Sequence, residues 1–344
     1  MTTPDIAIYA VTEKGARLGQ TLAAALPSRL HALSRLAVPE AAPFASLADL
    51  VAGTFARFRA HIFICACGIA VRSIAPFVRD KTSDPAVVCL DDTGHFAISL
   101  LSGHLGGAND LARRVADLTG AMPVVTTATD AAGAPAIELL ARDLGLGLDN
   151  PVATRRINAA LAAGQPVAVF DPLGLFAVTH AKALNHFEWV AAPEQVAPDS
   201  PLILVDWRTG PHTPTRLYLR PRVLTAGVGC RRGTPAADIL SLLDHVCRER
   251  RLAPGSLAAL ASIEAKRDEV GLLEAARTLG LDILFFTADQ LAGVSVPHPS
   301  AVVAKHMGVG SVCEAAAILA TGGGRLLAPK TRTGFSTAAI ALAR

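Results

Sequence analysis

Aromatic side chains are scarce in this chain, making up 5% of 344 residues with two tryptophans and two tyrosines. It therefore lacks the stacking platforms on which single-stranded nucleic acids are held. Net charge is also small, +3 from 32 basic and 29 acidic residues, so no basic stripe for a phosphate backbone is expected. Long apolar runs are missing: the stretch 62–71 is interrupted by Gly68 and stopped by Arg72, short of the ~20 residues needed to cross a bilayer. Residues 1–9 carry Asp5 and no basic segment ahead of an apolar one, so no secretory signal is expected. The six cysteines, at 65, 67, 89, 230, 247 and 313, show no Cys-x-x-Cys pair of the zinc-site kind. They read as reduced, small core residues of a cytoplasmic protein. Neither nucleic acid nor membrane is an expected partner.

What is present is apolar: 51% of the residues are hydrophobic and 18% charged, the balance of a globular chain rather than a disordered one. The length suggests two or three compact units. Strand-like and helix-like runs alternate, which predicts an α/β fold: an N-terminal α/β domain at 1–134, a small middle unit and linker at 135–221, and a C-terminal α/β domain at 222–344. In the first domain the pattern predicts strands at 5–10 and 61–65, a helix opened by Ser46, and a hairpin of 87–91 with 96–101 across Thr93 and Gly94. The prolines at 193, 198, 201, 211, 214 and 221 predict an irregular second half of the middle unit. Later helix starts are expected at Thr234 with Pro235, at Asp268, and at two capping boxes, Thr287 with Gln290 and Ser311 with Glu314.

Three segments are candidates for chemistry. In 100–109 a strand passes through Ser102, Gly103, His104, Gly106 and Gly107 into a helix beginning near Ala108 and Asn109. Such a turn presents backbone N–H groups at a helix N-terminus, where a carboxylate, a phosphate or a developing oxyanion is favoured. The same glycines can equally serve only to turn the chain. Phosphate-loop, dinucleotide and nucleophile-elbow spacings are all missing here. A second cluster, Thr126, Thr127, Thr129 and Asp130, follows a strand and can share a pocket with the His104 loop, although Thr and Asp are also ordinary turn residues. The third, 226–234, reads as strand, glycine turn and helix start, with Arg231 and Arg232 beside bare N–H groups as a carboxylate receptor, or else as a solvated basic turn. Lys266, Lys305, His306 and Lys330 lie in individually weak polar clusters.

Taken together, the segments resemble the CbiG family of cobalt-precorrin-5A hydrolases. The resemblance rests on 68–76, Lys81, 84–88, 101–104, 106–109 and 126–130 in the first domain, and on 227–233, 261–263, Lys266, Asp268, Glu269, 310–317 and Lys330 in the last. It implies a hydrolase of the oxygen-independent cobalamin pathway that opens a ring A δ-lactone and releases acetaldehyde. It implies no cofactor: cobalt is carried by the tetrapyrrole substrate. The partners it allows are that substrate and neighbouring enzymes of the pathway. Laid over the residues, the chemistry makes His104 a base, with the N–H groups of 106–109 as oxyanion donors and Asp130 orienting the ring. The helix dipole is expected to push the His104 pKa down. Ser102, Gly106, Gly107, Asn109 and Thr127 would contact substrate, and Arg231, Arg232 and Lys266 its carboxylate arms. The rival reading is a noncatalytic tetrapyrrole carrier.

Overall fold

Along β1 (Ile6–Ala10), Ile6, Ile8 and Ala10 enter one hydrophobic core while Ala7 and Tyr9 enter another. A strand buried on both faces belongs inside a sheet covered on both sides, which is why it reads as a continuous apolar run. The computed structural model describes residues 5–80, 83–176, 185–299 and 310–344. Two compact units result, Met1–Leu139 with Leu161–Gly164, and Leu140–Ala160 with Gln165–Arg344. Lys81 and the segment with Lys305 and His306 lie outside the described residues.

In the first unit, β1 is joined by β2 (Ser28–Leu33), β3 (Ala42–Phe44), β4 (Ala60–Ile64), β5 (Ala86–Leu90), β6 (Phe96–Leu101) and β7 (Met122–Val124) in the order β3-β2-β1-β4-β5-β6-β7. Its helices are α1 (Glu13–Ala25), α2 (Leu47–Thr54), α3 (Cys67–Ile74), α4 (Ala108–Thr119) and α5 (Ala128–Ala131), while α6 (Ile137–Asp143) begins in this unit and continues into the second. Thr12 caps α1 and Ser46 caps α2 through their hydroxyls. All neighbouring strands are parallel except β5 and β6, which form the expected hairpin. That reversal decides where the site lies. Because β6 and β7 run the same way, their carboxyl ends, followed by Ser102 and by Thr127, share one end of the sheet, together with the amino end of β5 and Asp84.

The second unit holds two sheets. One contains β8 (Gly147–Asp149), β9 (Val167–Phe170), β10 (Phe187–Trp189), β11 (Leu202–Val205) and β12 (Arg216–Arg220) in the order β10-β9-β11-β12-β8, with α7 (Thr154–Ala162) in the same stretch of chain. The stretch read as irregular thus supplies β11 and β12, both largely buried; the prolines fall around the strands and not within them. Buried Arg220 donates to the carbonyls of Asp206 and Arg208 and to the Asp149 carboxylate, tying β8 and β12 to the chain beyond β11. The other sheet runs β15-β14-β13-β17-β16, from β13 (Leu224–Cys230), β14 (Leu257–Ile263), β15 (Asp282–Phe286), β16 (Arg325–Arg332) and β17 (Ser336–Leu342). Its helices are α8 (Ala236–Glu249), α9 (Val270–Leu279), α10 (Ala288–Ala292) and α11 (Val312–Ala320). Among the described residues no helix is long and apolar enough to cross a membrane.

Helix starts in this sheet depart from the expected caps. The Thr287 box forms as read. Thr234 instead donates its hydroxyl to the Arg231 carbonyl, leaving Pro235 as cap, and Asp268 pairs with Arg232 while Glu269 takes the cap position. Ser311 sits at the cap of α11 but its hydroxyl contacts the Cys313 thiol at 3.6 Å instead of capping, and the Glu314 carboxylate is engaged elsewhere, so neither half of the box forms.

Candidate active site and carboxylate cleft

In the first unit the chain leaves β6 at Ser102 in a left-handed conformation, φ +57°, and reverses through Gly103 and Gly106 onto α4, whose cap is Gly107 at φ +87°. A Cβ on Gly106 would lie 2.4 Å from that of Ser102, so glycine is required for the close return. Most of the expected donors in this turn are already engaged. The N–H groups of Gly107, Ala108 and Asn109 donate to the carbonyls of His104, Ser102 and Gly103. Three of the four expected oxyanion donors are therefore consumed in holding the loop together. The Ser102 hydroxyl is buried without a partner.

His104 sits among carboxylates. Its Nδ1 is 2.9 Å from Glu138 Oε1, while Nε2 is 3.0 Å from Thr129 Oγ1 and 3.4 Å from Asp130 Oδ2. The hydrogen bond to Glu138 is the main influence on the imidazole. It outweighs burial and, with the charges of Glu138 and Asp130, raises the His104 pKa above its ordinary value. The helix-dipole expectation had the opposite sign; two carboxylates at contact distance dominate a partial charge already satisfied by loop carbonyls. Glu138, on α6, is the shorter and more buried ring partner, a role that the sequence reading gave to Asp130.

Asp130 belongs to a second layer. Burial would raise its pKa, but hydrogen bonds from Thr127 and Arg113 and the charge of Arg113 lower it, keeping the carboxylate ionised. Buried Asn109 donates to Asp130 Oδ2 at 2.9 Å and to Thr127 Oγ1 at 3.1 Å, and accepts from Ser99 at 2.7 Å. Thr127, Asn109, Asp130 and His104 are thus brought together as expected. Thr129 of the same cluster joins them at His104 Nε2, while Arg113 and Glu138 join without having been singled out. Arg113 and Glu138 lie on helices whose sequence alone says nothing of which face meets a loop.

In the second unit, Gly227 and Gly229 lie within β13 and do not form a turn. A Cβ at Gly227 would stand 1.8 Å from the Cys313 carbonyl oxygen: the glycine lets α11 cross the sheet closely. The turn itself is 231–234, with Gly233 at φ +77°. Here too three of the four N–H groups are taken, Arg231 by Phe335 O, Gly233 by Glu269 Oε1 and Thr234 by Arg231 O. What remains is side-chain charge around a cleft of about 430 Å³ whose lining includes Arg231, Lys266, Lys330, Arg332 and Phe335. Arg231 and Lys266 face it as expected. Arg232 is not part of this lining and pairs with Asp268 at 3.2 Å, both side chains largely exposed. Lys266 is bound to Glu269 Oε2 at 3.0 Å, and Glu269, though desolvated, is held below the usual carboxylate range by Lys266 and the Gly233 N–H. Among the described residues no group of three or more His, Cys, Asp or Glu is placed to hold a metal ion.

The pattern of the cobalamin synthesis G N-terminal family matches residues 49–130, that of the cobalamin biosynthesis central region 135–221, and that of the cobalamin synthesis G C-terminus 224–341. The cobalt-precorrin-5A hydrolase of Salmonella typhimurium is 37% identical over 324 residues, covering 93% of this chain and 92% of the relative. The chain belongs to the CbiG family. A second member, the cobalt-precorrin-5A hydrolase of Priestia megaterium, is 32% identical over 306 residues, 86% of this chain and 82% of its own. The crystal structure of a cobalamin biosynthesis protein G homolog from Sulfolobus solfataricus covers 99% of this chain and 98% of its own at 21% identity, with a TM-score of 0.37. The His104 network falls within the N-terminal CbiG match and the α6 segment that follows it, and the basic cleft falls within the C-terminal match.

Proposed function

We propose that this chain hydrolyses cobalt-precorrin-5A, opening the ring A δ-lactone and releasing acetaldehyde. The observation that carries this reading is the 37% identity to a cobalt-precorrin-5A hydrolase across nearly the full length of both chains. His104, with its raised pKa, is the proton donor. Water adds to the lactone carbonyl carbon, the acyl–oxygen bond breaks, and the departing carbinol oxygen takes the proton held on the imidazolium. The new carboxyl group releases a proton in exchange, restoring His104. The carbinol then loses its hydroxyl proton as its C=O bond forms. The bond joining that carbon to the macrocycle breaks, its electron pair passes to the cobalt-bearing ring, which takes up a proton, and acetaldehyde leaves.

Glu138 and Asp130 hold the imidazolium by charge, and Arg113, Thr127 and Asn109 keep Asp130 ionised. No protein-bound metal, flavin or nucleotide enters these steps, since cobalt arrives with the substrate. A cytoplasmic setting agrees with six unpaired cysteines. Incubating the purified chain with cobalt-precorrin-5A and assaying acetaldehyde tests the reading. Stoichiometric release supports it; tight binding without release replaces it with the carrier.

A further inference from the structure

The C-terminal cleft contains a device that the proposed chemistry does not use. Between β16 and β17 the register slips: Ala328 faces Ile340 and Thr331 faces Ala338, three steps against two. The extra residue makes a bulge at Pro329 and Lys330, and bulges re-aim side chains beside sites. The Lys330 N–H, displaced from the ladder, donates to Glu314 Oε1 at 2.9 Å. Glu314 is fully buried, and its carboxylate also takes the backbone N–H of His298 at 3.2 Å and His298 Nδ1 at 2.9 Å. A buried carboxylate is costly unless its partners are fixed, and here they fix one lysine at the lip of the cleft. The Lys330 ammonium donates to the His298 carbonyl at 3.0 Å.

Charge balance points the same way. Among the described residues no carboxylate pairs with Arg231, Lys330 or Arg332, whereas Lys266 is neutralised by Glu269. Three uncompensated cations therefore surround one cleft with an apolar floor of Ile263 and Val312, and Arg231 lies over the Phe335 ring at 5.8 Å. Three of the four backbone donors of this turn, the N–H groups of Arg231, Gly233 and Thr234, are bonded internally, so it does not offer the row of free donors that cradles a phosphate. Separate cations over an apolar floor suit several carboxylates carried on one apolar scaffold.

We infer that this cleft is a polycarboxylate receptor in which Lys330 and Arg332 join Arg231, with Glu314 the positioning residue that sets Lys330. It rests on the reading above for its natural ligand, the carboxylate arms of the tetrapyrrole.

The test is titration of the full chain with uroporphyrin, a tetrapyrrole octacarboxylate, followed by absorbance. Arg231→Gln, Lys330→Gln and Arg332→Gln should each weaken binding about tenfold, as expected for loss of a charge-assisted contact. Arg248→Gln, an exposed helix residue outside the cleft, should leave it unchanged. Glu314→Gln should weaken binding, and adding it to Lys330→Gln should cost nothing further, because both act through one ammonium; independent losses would assign Glu314 a merely structural role. The three cation variants change exposed or half-exposed side chains and test the cleft even where Glu314→Gln fails to fold. Affinities within twofold of the parent for all three, or displacement of the porphyrin by millimolar inorganic phosphate, would overturn the receptor. Loss of porphyrin binding in these variants of a chain that releases no acetaldehyde would remove the hydrolase reading and keep the receptor. Acetaldehyde release with indifferent variants would do the reverse.

Discussion

In segment 102–109 Gly107 supplies curvature, whereas in 227–233 Gly227 supplies clearance. Gly107 adopts φ +87° with open space where a Cβ would stand, so its constraint is conformational. Gly227 has extended strand geometry, and its constraint is the Cys313 carbonyl 1.8 Å from that position. Both segments bond most of their own N–H groups internally, and in both the chemistry has moved to side chains: an imidazole among carboxylates in one unit, a cleft where cations outnumber their carboxylate partners in the other. A glycine-rich strand-to-helix segment thus specifies backbone geometry and leaves open what the site will attract.

The sharpest way to break that division is at His104. His104→Ala should lower acetaldehyde release by ~100 to 10,000-fold with little change in substrate binding, as for removal of a positioned acid. Single-turnover rates beside equilibrium binding would show it, and a loss below about fivefold would move the proton donor elsewhere. Next comes the contrast between the glycines. Gly227→Ala should destabilise the chain by about 3 kcal/mol, since a backbone carbonyl cannot yield cheaply. Gly107→Ala should cost about 1 kcal/mol, the left-handed strain alone. Denaturant midpoints compare them, and equal costs would erase the distinction.

Acid sensitivity should also separate the units. Burial pushes buried His31 and His61 of the first unit down to about 4. Between that value and the unfolded ~6.5, the unfolded chain binds more protons, so stability is lost as pH falls through this window. His104 has the opposite sign: its raised pKa adds stability below pH ~6.5 that disappears as pH rises through the folded value. Hydrogen exchange at pH 5 against pH 7 should show the first unit opening more readily while the second holds; parallel loss in both would refute the assignment.

A smaller shift is expected from Glu138→Gln. Removing the carboxylate should bring the His104 pKa back toward its ordinary value and move the alkaline limb of turnover to lower pH. An unmoved limb would detach it from this pair. Smallest is Arg232→Gln, whose ion pair with Asp268 is largely exposed: porphyrin affinity and denaturant midpoint should both stay near the parent, as such pairs contribute little. A tenfold loss of affinity would return Arg232 to the cleft.

The sequence by itself determined the α/β class, the hairpin of β5 with β6 and the caps of α2 and α10, and it offered a pocket shared by His104 with Thr127 and Asp130 as one of two readings, the one the structure takes. These follow from local periodicity, capping chemistry and the rule that loops after parallel strands share a sheet end. Tertiary structure alone decided that β11 and β12 are buried strands, that Gly227 passes beneath a helix, and that Glu314 abandons its cap for Lys330 and His298. It also decided the direction in which the His104 pKa moves. Its nearest partner is 34 residues away, and an imidazole's pKa depends on which charges stand within a few ångströms, a distance along no part of the chain but through the packed interior.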